Sequence, residues 1–129
     1  MATQLPLFTL PGFEAGADMS DDQFHLVKIT DDEEVQTVDN VDDIPLGVLQ
    51  NAPTSGETAQ VMHLGISKVV ADTDGISAGS YVVMTGDGQV EDAGTSESEL
   101  VIGVGVDEAS DGNIGSILLY GRVIDMDLS

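Results

Sequence analysis

The sequence predicts an all-β fold, a small barrel or β-tulip-like sandwich with an extended N-terminal arm, and three observations lead there. Short runs rich in Val, Ile, Leu and Thr recur between clusters of Gly, Asp, Asn, Ser and Pro, which is how strands separated by turns read. No window keeps apolar residues at helical spacing over three turns, so no amphipathic helix is expected. Fifteen glycines and four prolines in 129 residues supply corners for many short strands.

Residues 1–23 read as an arm. Pro6 and Pro11 disfavour helix at the residues before them, so 5–13 (LPLFTLPGF) is extended. Leu5, Leu7, Phe8, Leu10 and Phe13 are too sparse to form a core, and 14–22 (EAGADMSDD) is a polar tether. An apolar extended segment on such a tether suits strand addition to a neighbouring sheet, with these five side chains as candidate partner-contact residues. The alternative is that the segment packs along its own domain. Residues 24–129 read as one barrel domain, with strands at 24–29, 35–38, 46–49, 59–63, 66–71, 81–85, 89–91, 100–106 and 115–124. One short helical turn fits at 41–44 before Pro45. Asp87-Gly88 and Asp111-Gly112 are hairpin turns, because glycine accepts positive φ without steric cost. Segments 31–34 (DDEE) and 92–99 (DAGTSESE) are solvated loops, since adjacent like charges repel.

A displacement of 56 residues superposes the chain on itself without a gap. Gly47, Gly56 and Gly65 fall on Gly103, Gly112 and Gly121, while Leu46 falls on Ile102, Val48 on Val104, Val61 on Ile117 and Met62 on Leu118. Read physically, this is a repeated strand–turn–strand unit with glycine where the chain bends, and it predicts a pseudo-symmetric barrel built from two halves.

Composition narrows the function. Twenty-four acidic residues against three Lys and Arg give a formal charge of −21, so the chain repels phosphate and cannot release counterions from DNA or RNA. Yet 41% of residues are apolar and the mean hydropathy is +0.09, unlike a disordered acidic chain. The domain therefore folds against its own charge, which concentrated salt screens. A halophilic host follows from that, or else a cationic partner. The absence of cysteine excludes disulfides, thiolate metal sites and cysteine nucleophiles. No run approaches the roughly 20 apolar residues needed to span a bilayer, and the N-terminus lacks the basic start of a secretory signal.

Nothing in the sequence assembles into a catalytic, cofactor-binding or metal site. No phosphate-cradling loop of the form G-x-x-x-x-G-K-[ST] occurs. His25 and His63, the only histidines, sit in strand patterns without a nucleophile elbow. Among so many acids, close carboxylate pairs carry no information, and five aromatics without tryptophan make a poor sugar cleft. Asp72-Thr73-Asp74-Gly75 begins like a calcium loop, but Ser77 and Val83 stand where an EF-hand needs glycine and glutamate. A carbohydrate- or metal-binding β module is the remote alternative that this reading leaves.

Three stretches carry a resemblance: IPLGVLQNAPTSGETAQVMHLGISKVVA (44–71), ISAGSYVVMTGDGQV (76–90) and IGVGVDEASDGNIGSILL (102–119). Over about residues 24–119 the chain resembles the capsid cement, or head decoration, proteins of tailed viruses. The resemblance implies a non-enzymatic small β-barrel on the outer capsid surface of the virion, made in the host cytoplasm. Its implied partners are the major capsid protein and further copies of itself, a trimer first and a pentamer second, with no nucleic acid and no membrane. The acidic excess and the extension 120–129 depart from the family pattern and point to a virus of a haloarchaeon. A vertex turret or host-attachment module is the alternative within the virion.

Overall fold

The computed structural model describes residues 5–94 and 99–126, with side chains for 12–94 and 101–120. Its nine elements are all strands: β1 (Leu5–Ala15), β2 (Leu26–Asp31), β3 (Glu34–Thr37), β4 (Gly47–Leu49), β5 (Thr58–Val70), β6 (Tyr81–Met84), β7 (Val90–Asp92), β8 (Glu99–Asp107) and β9 (Ile114–Met126). They join in the order β1-β3-β2-β4-β5-β9-β8-β6-β7, and β1 also pairs with β5. That extra pairing closes β1-β3-β2-β4-β5 into a five-stranded barrel, and the other strands form an outer continuation.

The continuation repeats the barrel. β5 and β9 are each 13 residues long and lie 56 residues apart. β1 runs antiparallel to β5 with Phe13 opposite Ala59 and Glu14 opposite Thr58, and β5 runs antiparallel to β9 with Val69 opposite Gly115 and Val70 opposite Ile114, so both partners advance by 56 residues. The parallel contact of Ala15 with Val35 recurs as a bridge between Ala71 and Val90, which completes the second ring β5-β7-β6-β8-β9. The expected duplication is therefore present in a different form. Each repeat makes a ring of its own, and β5 serves as the last strand of one and the first strand of the next. For this reason the two sequence-predicted strands 59–63 and 66–71 are one element, passing through Gly65 at φ 124°. The 41–44 stretch makes a single turn in which the Asp43 N–H donates to the Asn40 carbonyl.

Alternation along the strands assigns the core. Val27, Val35, Leu49, Ala59 and Val61 are buried with Ala15 and Met19 inside the first barrel, where half-buried Phe13 and Leu46 pack against them. Their counterparts Val82, Val90, Ile117, Ala71 and Ile76 belong to the second cluster. Where the first barrel has Leu49 and Ala59 the second has Gly105 and Gly115. A Cβ on either glycine would come within 3.0 and 3.3 Å of the Ile76 side chain, so Ile76 fills volume that the first barrel shares among Met19, Leu49 and Ala59, as close packing requires. The buried Ser67 and Ser116 hydroxyls are satisfied, Ser67 by Gln50 and the Lys68 carbonyl and Ser116 by Asp107.

Among the described residues, two without glycine's freedom have positive φ, Phe24 at 68° and Glu33 at 55°. Their counterparts, 55 residues on, are Gly79 at 84° and Gly88 at 79°. The second repeat thus meets the same backbone requirement at no Cβ cost, whereas the left-handed region costs an L-residue about 1–2 kcal/mol. Glu33→Gly is expected to stabilise the fold by up to about 1 kcal/mol after the greater unfolded-state entropy of glycine is deducted. Thermal melts at matched salt check this, and a lower melting temperature would show that Glu33 gains more from its side chain than the turn costs.

Candidate functional site

The stretch read as an arm is a wall of the first barrel. β1 pairs with β5 from Leu5 to Glu14 and touches β3 at Glu14 and Ala15. The side chains of Leu5, Leu7, Phe8 and Leu10 lie outside the described residues. Phe13 is half-buried against the first core, its place held by Val69 in the second repeat.

Two apolar surfaces that the sequence did not single out stand exposed. The first is a row across three strands of the second barrel, in which Tyr81 pairs with Val104 and Val104 with Leu118. Tyr81 is 53% exposed and Leu118 37%. The corresponding row in the first barrel is Leu26, Val48 and Met62, also paired side by side. These alternate with the interior residues Val27, Leu49 and Val61, so they face out of the first barrel. They are nevertheless at most 1% exposed, because they join the core cluster of the second barrel.

The second surface is one end of the first barrel, where Ile29, Ile44, Pro45 and Leu46 line a cavity of about 310 Å³. Ile29 is 56% exposed and Ile44 83%. In the second barrel the same end is shut: Met84, Val101 and Ile102, the counterparts of Ile29, Pro45 and Leu46, are all buried. The β6–β7 turn seals it against the first barrel, with the Leu26 N–H donating to the Gly88 carbonyl at 2.8 Å. A Cβ on Gly88 would lie 3.0 Å from both the Leu26 carbonyl oxygen and Thr37 Cγ2.

Charged groups adjoin the open end of the first barrel. Lys28 Nζ lies 2.6 Å from Asp39 and 2.8 Å from Asp43, and these bonds hold the Asp43 carboxyl below the usual aspartate range and lift the Lys28 ammonium above the usual lysine range. Asp43 also accepts the Asp39 and Asn40 amides, at 3.1 and 3.0 Å, so it ties down the loop that leads to Ile44. Burial beside Asp74 raises the Glu91 carboxyl.

A cleft of about 560 Å³ lies between the loops at 73–77 and 108–114. Two of the residues that line it, Thr73 and Ser77, are held by acids from outside its lining: Asp72 accepts the Thr73 amide and hydroxyl, and Asp92 accepts both from Ser77. Among the described residues no group of three His, Cys, Asp or Glu side chains is placed to hold a metal ion. His25 contacts the Gln23 carbonyl through Nδ1 at 3.3 Å.

No family model matches the chain, and no curated protein matches it. Among solved structures it is similar to the N base of the head fiber gp8.5 of bacteriophage phi29, with a TM-score of 0.66 and 20% sequence identity, over 92% of this chain and 98% of that one. At that identity the likeness is one of fold.

Proposed function

We propose that the protein is a non-enzymatic structural component of a virus head, a decoration or cement protein held on the outer capsid surface by the major capsid protein. The observation that carries this reading is the match in fold, over nearly the whole of both chains, to a domain that is the base of a head fiber. The charge of −21 supports an outward position, because packaged DNA would repel it. A binding role also fits the two exposed apolar surfaces. The major capsid protein and further copies, three in the first instance, are the partners this role calls for. Leu5, Leu7, Phe8, Leu10 and Phe13 remain the stretch proposed to meet the shell, now as part of a barrel wall and not a free arm. One specific observation favours a second reading, a turret or fiber base, since the similar structure is itself the base of a fiber.

The test is reconstitution on heads of the encoding virus that lack the protein, in 2 M KCl. Saturable co-sedimentation is expected, together with loss of occupancy in whichever of Leu7→Asp and Leu10→Asp keeps the wild-type melting temperature. No binding to heads, or turnover of a substrate, would overturn the role; unchanged occupancy in both variants would remove β1 from the contact. Copies per particle distinguish general decoration from a vertex turret.

A further inference from the structure

We infer that copies of this chain associate head to tail, the row Tyr81–Val104–Leu118 of one copy covering the open end Ile29–Ile44–Pro45–Leu46 of the next. The inference goes beyond the proposed role and holds whether or not the chain sits on a capsid. It rests on the internal duplication. Within one chain, Met84 and Ile102 at the corresponding end of the second barrel are buried in the cluster that contains the outer row Leu26, Val48 and Met62 of the first, and the Gly88 carbonyl of the β6–β7 turn accepts the Leu26 N–H. The fold thus already contains one contact of barrel end on barrel row, and it has one end and one row left over. The leftover end belongs to the first barrel and the leftover row to the second, and each is the 55- or 56-residue counterpart of a surface that is buried inside the chain.

That arrangement decides the occupant. Repeated from copy to copy, the internal contact sets the row of one chain on the end of the next. They make a heterologous contact, which closes a ring or runs on as a file. The contact between copies reproduces the apolar pairing without the shared strand β5 that tethers the internal one. Glu33 stands where Gly88 seats closely against Leu26, so its side chain lies at the rim of the new contact. Because each copy carries −21, association needs screening, and the test belongs in 2 M KCl.

The experiment is sedimentation equilibrium on the full chain and on two double variants, Ile29→Asp/Ile44→Asp (end removed) and Tyr81→Asp/Leu118→Asp (row removed). All four residues are exposed, so melting curves should match wild type; Ser in place of Asp keeps the test available if they do not. Wild type is expected to associate, and each variant alone to be monomeric. A one-to-one mixture should give a dimer and nothing larger, because it holds one intact end and one intact row. A monomeric wild type, variants that associate as wild type does, or a mixture that stays monomeric would each overturn the inference.

Discussion

Gly103→Ala should cost the fold about 3 kcal/mol, which for a domain of this size lowers the melting temperature by roughly 10 °C or more. Gly47→Ala should do similar damage in the other barrel. The reason is the same at both sites. β8 crosses β9 so closely at Gly103 that a Cβ would be driven into the Leu118 carbonyl oxygen, and at Gly47 it would be driven into the Met62 carbonyl oxygen, with Val61 Cγ1 2.9 Å away. Those carbonyls are backbone atoms in the ladders that close each ring, so neither can yield without breaking register. Gly112→Ala is the control, because it has φ 81° and nothing within 4 Å of an added Cβ. It should lose only the left-handed penalty of about 1–2 kcal/mol. Urea unfolding of the three variants checks the order; equal losses would mean that the strands stand farther apart at Gly103 and Gly47 than the ring geometry requires.

The same glycines show how much the sequence disclosed. The triplet 47, 56, 65 falling on 103, 112, 121 announced a duplication, and strand alternation located eight of the nine strands to within a few residues. Chemistry behind the triplet was not legible, because one symbol covers two needs: close approach at Gly47 and Gly103, positive φ at Gly56 and Gly112. Nor could β1 be recognised as a wall. Its prolines and scattered apolar residues satisfy an extended arm equally well, and only the closure onto β5 distinguishes them. The two apolar surfaces were missed for a further reason. Met62 and Leu118 are equivalent in the repeat and alike in chemistry, and what separates them is that one has the second barrel beside it. A hydrophobic pattern reports which face a side chain is on, not whether that face has a neighbour. Glu33 and Phe24 were missed as well, since the gapless shift of 56 residues sets them on Gln89 and Ser80, and only the 55-residue offset of the folded repeat sets them on Gly88 and Gly79.

Moving the protein from 2 M to 0.1 M KCl should bring it close to unfolding at room temperature. At 0.1 M the Debye length is about 10 Å and at 2 M about 2 Å, against a radius of gyration of about 14 Å for a domain of this length. In dilute salt each carboxylate therefore feels several others, and in concentrated salt almost none. For the formal charge of −21, Coulomb's law in water makes the folded sphere worse off than the expanded chain by on the order of 10 kcal/mol more at 0.1 M than at 2 M. That is comparable with the whole stability of a typical domain, about 5–15 kcal/mol. Little inside the molecule offsets it, because Lys28 already sits between Asp39 and Asp43 and the chain has only two other cations. Salt also strengthens apolar burial regardless of charge, so the discriminating variant is Asp31→Asn/Asp32→Asn/Glu33→Gln in the exposed β2–β3 connection. If repulsion is the cause, this variant should melt higher than wild type at 0.1 M and nearly with it at 2 M. Equal wild-type melting temperatures at the two salt concentrations would show that the fold tolerates its charge unaided, and with them the need for a saline host or a cationic partner would disappear.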